Sequence, residues 1–154
     1  MPRSPERSQM TTKEFIRRCA TGEQSRAKEV SSVFFDGKTV YSYGYHYPLL
    51  FRAGDAWIVN RRGYSVTTAK HIGIASMYAD YWIEIPNHQY RGAHGCLNDL
   101  LFIIDENVKD QAATVTKLSP RATKTRAIEE KKLSEFQRTQ DYLKSLTEAA
   151  FNGK

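Results

Sequence analysis

Tyrosine occupies every second position of the run Tyr41-Ser42-Tyr43-Gly44-Tyr45-His46-Tyr47-Pro48. Alternation with a period of two belongs to extended chain, in which successive side chains point to opposite faces. If the whole run is one strand, Tyr41, Tyr43, Tyr45 and Tyr47 share a face, and Ser42, Gly44 and His46 lie on the other. Gly44 predicts a bulge or bend within it, and Pro48 a strand end or an edge position. The rings then stack bases, fill a partner's groove, or close a thin core with their hydroxyls at the wet rim. Small sheets commonly use tyrosine in the third way.

Hairpin signals surround the run. Val33-Phe34-Phe35, the turn pair Asp36-Gly37, and Lys38-Thr39-Val40-Tyr41 predict a type I′ hairpin that sets Phe34 opposite Thr39 and Val33 opposite Val40. Leu49-Leu50-Phe51, a turn at Ala53-Gly54-Asp55, and Ala56-Trp57-Ile58-Val59 predict a second. Asn60-Arg61-Arg62-Gly63 then turns the chain into Tyr64-Ser65-Val66-Thr67. A capping threonine starts a helix at 11–14 whose apolar face is Phe15, Ile16 and Cys19, ending before Gly22. Thr67 or Thr68 caps a second helix reaching about Tyr81, with Ile72, Ala75 and Ala79 inward. Trp82-Ile83-Glu84-Ile85 reads as a strand stopped by Pro86. Leu97 to Ile104 has the length of a strand or of a short helix, and both stay open.

These elements define an α+β fold: an antiparallel meander of four to five strands packed by two helices, with a C-terminal helical appendage. Residues 1–10 read as a disordered N-terminus, 11–104 as the α+β domain, 105–125 as a basic linker and 126–150 as the C-terminal helix. Ile128, Leu133, Phe136, Leu143 and Leu146 give that helix a narrow apolar stripe suited to a surface or to a partner.

Charge is unevenly placed. Of the 154 residues, 1–30 hold seven Lys/Arg against four acids, 117–154 hold nine against five, and 31–116 hold seven against eight. The net charge of +6 therefore sits at the two ends, while 13 of the 18 aromatics lie between residues 31 and 90. A neutral aromatic body with basic ends suits an acidic partner, most commonly nucleic acid, although solubility alone accounts for such a charge in many small domains. Two distant cysteines, Cys19 and Cys96, are too few for a disulfide framework. With no apolar run of membrane-span length and no signal-type stretch, the sequence predicts a cytoplasmic protein of the host cell without membrane contact.

Two arrangements carry candidate chemistry. His46 and His71, with Lys70 beside the latter, are the residue types of a metal-independent nuclease: general acid, general base and a cation for the phosphorane. Histidines in turns and helix starts are more often structural. His88, His94 and Cys96 have metal-ligand chemistry but lack an evident fourth ligand, so no metal site is assigned. Phosphate loops, dinucleotide fingerprints, nucleophile elbows and zinc-finger cysteine pairs are absent, and no cofactor is implied.

The stretch from Phe34 through Asp36-Gly37 to Val40-Tyr41-Ser42-Tyr43-Gly44, then His46-Tyr47-Pro48, then Asn60 and Tyr64-Ser65-Val66-Thr67-Thr68-Ala69-Lys70-His71, resembles a small domain of unknown function that recurs in bacteriophage and mobile-element proteins. The similarity spans about residues 13–72. It implies a phage-type origin and transfers no activity. The leading expectation is a non-catalytic binding protein acting on nucleic acid or on a nucleic-acid-handling host defence complex, in the manner of an anti-CRISPR inhibitor. Tyr43, Tyr45, Tyr47, Arg61, Arg62 and Lys70 would form one contact surface, and Lys117, Arg121, Lys124 and Arg126 a second. The alternatives are the His46/His71 nuclease and an oligomerisation module built on the last helix. Oligomeric state is not legible.

Overall fold

A computed structural model describes residues 10–22, 29–30, 32–42, 47–63, 65–86 and 96–152. The chain divides into two compact units, Met1–Asp80 and Tyr81–Lys154. The sequence had grouped 11–104 together, but the division falls between Asp80 and Tyr81.

The first unit is the expected α+β meander. Helix α1 (Thr12–Thr21) begins where Thr11 Oγ1 accepts a hydrogen bond from the Glu14 amide, and it ends at Gly22 in the left-handed region. That pairing of a threonine cap with a glycine stop satisfies the end groups of a short helix. Phe15 and Ile16 are fully buried, each worth about 2–3 kcal/mol of transfer free energy. Burial pushes the Cys19 thiol up to about 12, so it stays protonated and packs as an apolar residue.

Five strands follow, β1 (Glu29–Val30), β2 (Val33–Phe35), β3 (Thr39–Ser42), β4 (Tyr47–Ala53) and β5 (Ala56–Asn60), each antiparallel to its chain neighbour. Helix α2 (Val66–Ser76) packs on β4 and β5, and α1 packs on α2. It is capped by Ser65 rather than Thr67 or Thr68 and ends at Ser76, short of Tyr81. Its inward line is Thr68, His71 and Ala75; Ile72 and Ala79 are only half-buried. Asp80 closes the unit by accepting the Trp57 amide on its carboxylate while donating its own amide to the Trp57 carbonyl.

The β2–β3 hairpin forms one residue further along than the Asp-Gly pair predicts. Phe34 stands opposite Tyr41, and Phe35 opposite Val40. The Asp36 carboxylate accepts the amides of Lys38 and Thr39 at 2.9 and 2.8 Å, which makes Asp36 the first residue of the turn. Gly37, at φ 100°, then supplies the left-handed position that a side chain would strain.

This geometry also divides the tyrosine run. β3 ends at Ser42 and β4 begins at Tyr47, so the run crosses a chain reversal and is not one strand. Ser42 pairs with Tyr47, and residues directly opposite each other share a face. Tyr47 therefore faces with Ser42, and Tyr41 points to the other side. The observed register irregularity falls between Val40 and Tyr41, with Pro48 beside it inside β4. The bend expected at Gly44 lies outside the described residues.

The second unit contains strand β6 (Tyr81–Ile83) and two helices, α3 (Leu97–Thr116) and α4 (Thr123–Asn152). Leu97–Ile104 is helical, and the helix runs on through 105–116, most of the segment expected to be a linker. Only Lys117–Ala122 connects the helices, with Ser119-Pro120 preventing continuation. Hydrophobicity hid this helix because two inward positions are polar. Asn107 donates to the Glu84 carbonyl and accepts the Glu84 amide, and buried Gln111 donates to the Glu129 carbonyl. Phe136, Thr139 and Leu143 of α4 are buried among Leu100, Ile103, Ile104 and Ile83. Phe136 also lies 4.5 Å from the Trp82 ring. Phe136 and Leu143 of the last helix's apolar stripe are thus used within its own unit, while Ile128 stays exposed.

Asp36→Ala should lower unfolding free energy by about 1 kcal/mol, because two turn amides lose their acceptor. Asp36→Asn keeps an acceptor at Oδ1 and should lose less. Urea midpoints at neutral pH measure both.

Candidate functional site

Two of the residues that the sequence singled out in the first unit, His71 and Tyr47, sit in neighbouring hydrogen-bonded sets. Ser42 Oγ lies 2.9 Å from His71 Nδ1 and 3.4 Å from Thr68 Oγ1, which in turn accepts from Ser65 Oγ at 3.0 Å. Ser65 simultaneously caps α2 by accepting the Thr68 amide. Beside it, the Tyr47 hydroxyl donates toward two carbonyls, those of Asn60 and Arg62, at 2.8 and 2.6 Å. Asn60 donates to the Pro48 carbonyl and accepts the Arg62 amide. The strand end, the strand start and the helix start are tied together by side chains where no ladder can reach.

Ser42, Thr68 and Asn60 are at most 1 % exposed and His71 is 5 % exposed. A serine–histidine pair so enclosed offers no nucleophile to a substrate; it is a strut between β3 and α2. Burial lowers the His71 pKa from its ordinary 6.5 and favours the neutral ring. Its expected catalytic partner His46 lies outside the described residues, and so do Tyr43, Tyr45, His88 and His94. Tyr47 is 1 % exposed, which corrects its placement on a stacking surface. Arg61 and Lys70 are exposed, whereas Arg62 is half-buried. Cys96 is exposed just before α3, and among the described residues no three potential metal ligands come together.

The second basic cluster fares differently. Lys117, Arg121 and Lys124 are exposed around the turn joining α3 to α4. Arg126 is half-buried and builds the turn, donating to the Leu118 carbonyl at 3.2 Å and lying 3.8 Å from Glu130. Between Asp110 and Glu129 the chain carries these four cations and no acid, so the end of the helical hairpin is uniformly positive.

The structure adds residues that the sequence reading missed. Lys124, Lys131 and Arg138 follow at seven-residue intervals, which drift only about 20° per step around a helix and so keep all three on one face of α4. Three acids near this line are engaged, Glu130 with Arg126, Glu129 with Gln111, and Glu135 with the Trp82 indole N–H at 2.9 Å, while Asp141 beside Arg138 is exposed. Where the line ends, Tyr81 stacks on Tyr142 at 4.4 Å and 16°, and the Arg138 guanidinium lies 4.5 Å from the Tyr81 ring centre. An open depression of about 540 Å³ adjoins them, lined also by Ser134, Gln137, Asp141 and Ser145. The seven-residue spacing was the available signal; it was masked because 105–125 read as a linker.

No protein-family model matches this chain, and comparison with curated proteins and with solved structures found no similar protein. Among the described residues no helix is long and apolar enough to cross a membrane.

The buried His71 makes stability depend on pH. The unfolded chain takes up a proton near pH 6.5 while the folded one resists it, so stability is full above that pH and is lost as pH falls toward the lowered folded value. Urea unfolding between pH 8 and pH 5 should show this loss, and His71→Asn, which keeps a polar group but does not titrate, should reduce the slope.

Proposed function

We propose that this protein is a non-catalytic binding protein whose partner is nucleic acid, held through its phosphates by the end of the α3–α4 hairpin and the adjoining face of α4. The observation that carries the reading is the acid-free cationic turn, with Lys117, Arg121 and Lys124 exposed and Lys131 continuing the line. Charges presented this way neutralise phosphates and release counterions, a contact that needs no base recognition. Ordinary surface cations of a soluble helix alternate with acids at i,i+4, as Arg126 and Glu130 do here. Among the described residues Lys117, Arg121 and Lys124 form no such ion pair.

The phage-type origin implied by the resemblance places a host defence ribonucleoprotein among the settings in which the protein would meet that nucleic acid, with inhibition of the complex as the outcome. The nuclease alternative draws no support from the buried, neutral-favouring His71. The oligomerisation alternative is weakened because Phe136 and Leu143 of the last helix's stripe are buried within its own unit, leaving Ile128 as its exposed apolar side chain.

Fluorescence anisotropy with a labelled oligonucleotide over a range of salt concentrations tests the reading. The wild type should show affinity falling steeply with salt. Changing Lys117, Arg121 and Lys124 together to alanine should reduce the slope of log affinity against log salt by about 2, at roughly 0.7 per phosphate contact on a single strand. An unchanged affinity and slope would exclude the hairpin end as the contact.

A further inference from the structure

We infer that the depression beside Tyr81 and Tyr142 is a nucleobase subsite, and that the nucleic acid this protein takes is therefore single-stranded. The inference rests on the phosphate-binding reading above and specifies its substrate. Tyr81 already stacks in parallel on Tyr142, with the Arg138 guanidinium at a comparable distance from the Tyr81 ring, so a stacked pair and a planar cation adjoin an open space. Tyrosine rings and guanidinium planes are the groups on which unpaired bases stack, and such a layer is extended by one more planar group at little conformational cost. Both tyrosines are half-buried and are fixed before any ligand arrives.

The rest of the lining suits a base edge and not a phosphate. Asp141 is exposed within it, and a carboxylate repels phosphate but accepts the imino and amino N–H groups of guanine, adenine or cytosine. Gln137 supplies both a donor and an acceptor, and Ser134 and Ser145 supply hydroxyls. The phosphates have their own place nearby. Lys124 and Lys131 precede Arg138 on one face of α4, and 14 residues of helix separate Lys124 from Arg138, about 21 Å. A strand laid along the cations thus reaches the depression with a base free to turn in. In a duplex the bases are paired and stacked inside, so only the cationic contacts would remain.

Single-strand binders with this division of labour show a signature that separates the two parts. Anisotropy with a labelled mixed-sequence single strand and with the duplex of the same sequence provides it. The wild type should bind the single strand more tightly than the duplex. Tyr142→Ala should weaken single-strand binding at least about fivefold, the equivalent of one lost stacking contact. It should leave duplex binding and the salt slope unchanged. Tyr142→Phe keeps the ring and should bind as the wild type does. Ser145→Leu fills the depression from an exposed helix position while keeping both rings, and it should reproduce the alanine defect with the unfolding midpoint of the wild type. Single-strand affinity unchanged in both Tyr142→Ala and Ser145→Leu would overturn the base subsite while leaving the phosphate contact standing. Equal wild-type affinity for duplex and single strand would overturn it too. If the wild type binds neither, the phosphate-binding reading falls and this inference falls with it.

Discussion

A polar group withdrawn from water must find a partner, and both units of this protein are organised by that requirement. In the first, Ser42, Thr68 and His71 are enclosed where a strand end meets a helix start, and each is satisfied by another. Tyr47 and Asn60 do the same for carbonyls and an amide that no strand pairing reaches. In the second, Asn107 and Gln111 turn inward and bond backbone, and Thr139 donates to the Trp82 carbonyl. Removing one partner from any such set strands the other in a medium that cannot solvate it, which costs more than the bond contributes. His71 and Tyr47, two of the side chains that look most chemical in the sequence, are for this reason inaccessible in the fold.

Local chemistry was legible. The threonine cap and glycine stop of α1, the two hairpins and the α+β class all follow from residue types acting on their neighbours. What could not be read depends on contacts distant in sequence. The turn moved by one residue, and the pairing register with it by two, because the Asp36 side chain, not only the Asp-Gly backbone preference, decides where the turn begins. The tyrosine alternation suggested one strand because period two is blind to a reversal within it. The continuation of α3 was invisible to hydrophobic periodicity because its inward positions are amides.

The candidate surfaces were legible in unequal measure. Four cations within ten residues of acid-free sequence stood out, and three of them are exposed in the fold. Arg126 was counted with them, but it braces the turn that presents the others. Tyr47 was misread because aromatic character says nothing of which face a ring occupies. Tyr81, Arg138 and Tyr142 could not be grouped at all until β6 was seen to lie against α4.

The turn Lys117–Ala122 has one more consequence. It joins two long helices through six residues, so contacts such as Gln111 with Glu129 span only 18 positions of chain. Contacts that close in sequence demand little loop-closure entropy and form fast. Closing α3 on α4 is therefore a cheap step, whereas docking β6 on α4 must bring together residues as far apart as Trp82 and Thr139, so the platform of Tyr81 and Tyr142 is the costlier part of that unit to assemble.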